Sequence, residues 1–101
     1  MDTRSKIVES IPVADFDVME GTFDPLLAAQ AREIAERKRK KPLVVVIRDP
    51  EEPLLPARAR AELVAALREV DYVVIGGSLK GWRLSENRDA FMDMIRAKHG
   101  R

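Results

Sequence analysis

Five consecutive apolar residues, Leu43-Val44-Val45-Val46-Ile47, constrain this chain more than any other stretch. Four of the five are β-branched, which favours a strand over a helix. No polar residue interrupts them, so a strand here must be covered on both faces. That is the position of an inner strand in a parallel sheet with helices packed over it. Parallel neighbours in turn need crossover connections, usually helical.

The flanking sequence supplies such crossovers. The stretch "DFDVME", 15–20, reads as a first strand that Gly21 ends. Pro25 favours a helix start, because it lacks an N–H that would otherwise be unsatisfied there. Asp24 stands where it can cap that helix. Leu27, Ala31, Ile34 and Ala35 then repeat at helical spacing, and Pro42 predicts an end near Lys40. After the central strand, Pro50, Pro53 and Pro56 stiffen a loop. A second helix follows, with Ala59, Leu63, Ala66, Leu67 and Val70 predicted on its buried face. "YVVI", 72–75, is a third strand closed by Gly76-Gly77. Ser85 can cap a last helix carrying Ala90, Phe91, Met94 and Ile95, which Gly100 stops. The expected fold is α/β: a three-layer, Rossmann-like parallel sheet of about three strands flanked by helices, with right-handed crossovers. Residues 1–14 read as an arm or edge strand shortened by Pro12, and 15–101 as a single domain.

Charge and cysteine content narrow the classes of function. With 46% hydrophobic and 35% charged residues, the 101-residue chain is globular rather than disordered. Its net charge of +1 gives no global pull toward nucleic acid or a membrane surface. No stretch approaches the roughly 18 apolar residues of a membrane span. The first residues contain no apolar run that would serve as a signal peptide. There are no cysteines, which excludes a disulfide framework and thiolate metal sites, and a cytoplasmic location is expected. The basic run "RKRKK", 37–41, falls at a helix C-terminus, where cations suit the helix dipole. It lacks interleaved aromatic residues and reads as a solvated helix end, not a nucleic-acid site. His99 has no second histidine to share a metal with. Asp49, Glu51 and Glu52 follow the second strand and read as a solvated loop rather than a magnesium site.

Two stretches carry a family resemblance. "VMEGTFDPLLAAQAREI" resembles the first motif of the cytidylyltransferase-like nucleotidyltransferases, Gly-x-Phe-Asp-x-Leu-His-x-Gly-His, at a strand-to-helix junction. Gly21, Phe23, Asp24 and Leu26 match it. "PARARAELVAALREVDYVVI" is similar to a later stretch of the same family, especially in the adenylyltransferase part of ADP-heptose synthase. Arg60, Glu62, Ala66, Leu67, Val70, Asp71 and Val73 match there. The resemblance covers roughly residues 13–76. It implies a nucleotide held by Gly21, Thr22, Phe23 and Asp24, with Arg58 and Arg60 near it, and Mg2+ only if a nucleotide is bound.

The departures argue against chemistry. In the family two histidines bind the triphosphate and stabilise charge on the transferring phosphoryl group. Here those positions hold Leu27 and Gln30, and the glycine between them is Ala29. Nothing after Ile75 matches the family's closing Ser/Thr-rich motif. The expected function is a catalytically degenerate binding or assembly module with weak nucleotide affinity. The alternative is an active nucleotidyltransferase in which Arg32, Arg58 and Arg60 hold the triphosphate and Gln30 donates to the α-phosphate.

Assembly follows from counting strands. In the family the first strand lies inside the sheet, between the second strand and two later ones. Without matches to the later pair, the first strand becomes an uncovered edge. A homodimer across that edge is expected, with Phe16, Val18 and Trp82 near the interface. A folded-back N-terminal arm is the other way to cover it. Trp82 either packs on its own domain or anchors a partner.

Overall fold

The computed structural model describes residues 3–84. One 3-10 turn (Thr3–Lys6) precedes strand β1 (Asp17–Gly21), helix α1 (Ala28–Arg37), β2 (Leu43–Ile47), α2 (Ala57–Ala65), β3 (Tyr72–Ile75) and the two-residue β4 (Trp82–Arg83). The strands form one sheet in the order β3-β2-β1-β4, and every pairing is parallel. The α/β, Rossmann-like expectation therefore holds, with one strand more than expected. The last predicted helix, Ser85 and His99 lie outside the described residues.

All five residues of β2 are buried, as its unbroken apolar run requires. Leu43, Val45 and Ile47 join Met19 of β1 and Val73 of β3 in one core with Phe23, Ile34 and the α2 residues Ala61, Val64 and Ala65. Val44 and Val46 alternate to the opposite face and are buried as well.

The fourth strand removes the uncovered edge. Met19 pairs with Trp82 and Glu20 with Arg83, so β1 is an inner strand. The carboxylate of Glu20, buried within β1, ties this pairing down. It accepts the Gly81 N–H at 3.0 Å and lies 3.7 and 3.6 Å from the guanidiniums of Arg48 and Arg83. Arg48 also donates to the carbonyls of Gly77 and Leu79, holding the β3–β4 connection against β2. The reason for expecting a homodimer, an uncovered β1 edge, is thus met within the chain. Phe16 and Val18 are half-buried. The N-terminal arm runs instead along β3, at the other side of the sheet: Ile7 bridges Val73, Val8 N–H donates to Val73 at 2.9 Å, and Lys6 Nζ donates to the Leu67 carbonyl at 3.0 Å.

Gly81 is the residue that admits β4. A Cβ there would overlap the backbone carbonyl of Val18, which cannot swing aside as a side chain would. Gly81→Ala should therefore push β4 off β1 and destabilise the domain by about 1–3 kcal/mol, the usual cost of overpacking. Urea unfolding measures the loss, and the emission of Trp82 in the folded baseline should change with it.

Two helix boundaries and one helix face differ from the sequence reading. Helix α1 begins at Ala28, not at Pro25, and its N-cap is Leu27. The side chain of Gln30 reaches back to accept the Leu27 N–H at 3.0 Å, half of a capping box. The helix ends at Arg37, and the basic run caps it: Lys38 N–H donates to Ile34 and the Arg39 guanidinium to Glu36, each at 3.0 Å. In α2 the buried stripe is Arg60, Ala61, Val64 and Ala65, while Leu63 is 43% exposed. Of the expected face, Val70 is buried and Leu67 packs against the core, both beyond the end of α2, while Ala59, Leu63 and Ala66 fall outside the stripe, because an apolar count does not admit an arginine to the core.

Candidate functional site

The C-terminal ends of β1 and β2 open onto a cleft of about 200 Å³. In parallel sheets this is where ligands bind. The cleft is lined by Thr22, Asp24, Pro25, Leu27, Gln30, Pro50 and Glu52. It thus joins the loop after β1, the first turn of α1 and the loop after β2.

The β1–α1 loop is fixed from below. Gly21 ends the strand and its carbonyl accepts the Arg48 N–H at 2.8 Å. Phe23 adopts φ 51° and is fully buried in the core. A left-handed backbone is unfavourable for so bulky a residue, and burial of the ring holds it there. The N-cap of α1 is Leu27, not Asp24. The Asp24 carboxylate accepts the backbone N–H groups of Leu54 and Leu55 at 2.6 and 2.8 Å, clamping the proline-rich loop to this one.

Arg60 completes the frame. Its guanidinium rises from α2, is 1% exposed, and donates to three backbone carbonyls. Nε donates to Leu55 at 3.0 Å, and one terminal nitrogen donates to Thr22 at 3.0 Å and Arg48 at 2.7 Å. The other donates to the Asp49 carboxylate at 2.7 Å. A planar fork of donors suits this task, and a lysine would not span it. Arg60 therefore holds together the loops that form the cleft walls, from behind.

Of the residues singled out in the sequence, Thr22, Asp24, Leu27 and Gln30 come together in the cleft, and Gly21 and Phe23 are buried in the loop that carries them. Ala29 is exposed and lines a different recess, beside Arg32, Glu33, Glu36, Arg37 and Arg39. Arg58 is on the surface, 3.6 Å from Glu62. It borders a third recess, with Ile7 and Ile75. Trp82 packs on its own domain: its indole N–H donates to Glu33 at 3.1 Å and the Arg37 guanidinium lies 3.6 Å over the ring, yet 49% of the residue remains exposed. Sequence reasoning misses Pro50 and Glu52 as cleft residues, and it places Arg60 beside a nucleotide, whereas Arg60 does not line the cleft and is buried behind its walls. Glu52 has a signal, since it lies in the loop after a parallel strand.

Among the described residues no group of three or more His, Asp or Glu side chains is placed to hold a metal ion. No helix among them is long and apolar enough to cross a membrane. No family model, curated protein or solved structure matches the chain.

Proposed function

We propose that this chain is a small ligand-binding module on a nucleotidyltransferase-like frame, with its ligand in the strand-end cleft and without nucleotidyl transfer. The observation that carries this reading is the direction of the Arg60 guanidinium. An active enzyme with a replaced catalytic set needs Arg32, Arg58 and Arg60 to converge on a triphosphate. Arg60 instead serves the Thr22, Arg48 and Leu55 carbonyls and Asp49. Arg58 is paired with Glu62, and Arg32 borders another recess. The carbonyl oxygen of Gln30 is engaged in capping α1. The cleft keeps the place and the braced walls of a binding site and lacks the cations that transfer would need.

The strand order β3-β2-β1-β4 agrees with the resemblance, which places the first strand between the second and the later ones. Other doubly wound nucleotide-binding sheets share that order, so it supports the frame and not a particular nucleotide. The reading is tested by backbone-amide NMR of the full chain titrated with a set of small polar fragments. Saturable shifts should concentrate at Thr22, Asp24, Leu27 and Gln30. Shifts centred on Trp82 instead would remove the cleft as the ligand site.

A further inference from the structure

The cleft differs in charge from a phosphate site. Two of its seven lining residues, Asp24 and Glu52, are acidic, and none is basic. The guanidiniums nearby are committed elsewhere: Arg60 to three carbonyls and Asp49, Arg48 to the carbonyls of Gly77 and Leu79. The first turn of α1 borders the cleft through Leu27 and Gln30 and contributes some positive character. A helix terminus amounts to roughly half an elementary charge, against two full carboxylates. One amide of that turn, Leu27 N–H, is already taken by Gln30.

Of the other five lining residues, Pro25, Leu27 and Pro50 are apolar and stiff, and Thr22 and Gln30 are polar. Pro25, Leu27 and Pro50 offer ring and methyl surface, and Gln30 is buried at the helix start. The Asp24 clamp and the Arg60 fork hold these walls in place, which lowers the ordering cost of binding. Apolar walls with carboxylates and no cation complement a compact apolar body carrying a positive head.

From this we infer that the strand-end cleft takes a small organic cation, an amine or amidinium on a short apolar body, in preference to a phosphate. The inference rests on the binding-module reading and specifies its ligand class. Glu52 attracts the cation from the exposed loop after β2. Asp24 adds its charge at the opposite loop while keeping its hold on Leu54 and Leu55.

The test is amide NMR of the full chain with four probes: n-butylamine, its neutral counterpart n-butanol, inorganic phosphate, and ATP with magnesium. The amine should give saturable shifts at Thr22, Asp24, Leu27 and Gln30 that exceed those from n-butanol. Glu52→Gln, at an exposed position, should leave the spectrum of the unliganded chain nearly unchanged and weaken amine binding about ten-fold, as expected for loss of one charge-assisted contact. Equal shifts with amine and alcohol, or undiminished amine binding in Glu52→Gln, would overturn the inference. Cleft shifts with phosphate or ATP and none with the amine would also overturn it while leaving the module reading intact. Absence of cleft shifts with every probe would remove both.

Discussion

Replacing Arg60 with alanine should destabilise the domain by about 3–5 kcal/mol, the range for removing one partner from a buried charged network. The loss is not mainly the ion pair with Asp49. The Asp49 side chain is 76% exposed, and an exposed pair contributes less than about 1 kcal/mol. Asp49→Ala should therefore be mild. Most of the loss comes from the carbonyls of Thr22, Arg48 and Leu55, which lose their donor on the buried side. An acceptor left unsatisfied in the interior costs about 1–3 kcal/mol. Small domains have about 5–15 kcal/mol in total, so the variant should be close to unfolding at room temperature. Arg60→Lys should not rescue it, because one ammonium cannot serve three carbonyls spread over the β1–α1 and β2–α2 loops. Urea unfolding followed by circular dichroism measures all three variants. An Arg60→Ala chain within about 1 kcal/mol of the parent would contradict the bracing role, since even one orphaned carbonyl costs that much.

The same residue shows where sequence reasoning stops. The β2 run is legible because five adjacent apolar residues admit few other fates. β3 and the α/β order follow from it, and the observed strand covers 72–75 as expected. The face of α2 is not legible, because an arginine in the core has no signature in an apolar count. It becomes intelligible only when the carbonyls that need it are seen, and they come from positions 22, 48 and 55. β4 is two residues long, too short for any periodicity to register. Its pairing depends on a glycine fitting against Val18 across the sheet. Asp24 is legible as a residue of the strand-end loop, but its partners lie about thirty residues away, at Leu54 and Leu55. A cap is the local use of an aspartate before a helix, and here a long-range clamp takes precedence. Most of the cleft, from Thr22 to Gln30, is legible for a plain reason: a loop leaving a parallel strand for a helix borders the ligand side of such a sheet. Pro50 and Glu52 share that signal as residues of the loop after β2, but which residues of that loop reach the cleft depends on how the proline-rich stretch folds back, which no spacing encodes.

Nucleotidyl transfer from CTP or ATP should be undetectable, and this is the larger of the two expected effects. Loss of one well-placed charge-stabilising donor costs about 10²–10³ in rate. In the family that the sequence resembles, two histidines supply such donors, and the matching positions here hold Leu27 and Gln30. Gln30 is 3% exposed and its carbonyl oxygen accepts the Leu27 N–H. Leucine offers no donor at all. Arg60 does not compensate, because it is directed into the loop frame. The donor missing at Leu27 alone implies a deficit of about 10²–10³, ahead of the charge lost at position 30 and of any loss in nucleotide affinity. An acidic cleft lining adds to that loss by repelling the triphosphate.

The most direct measurement is magnesium-dependent pyrophosphate release by the full chain with CTP or ATP, using phosphorylated sugars and glycerol phosphate as acceptors. The expected rate equals that of the blank without protein. Release above that blank, co-purifying with the folded chain and abolished by Gln30→Ala, would contradict a binding module without transfer chemistry.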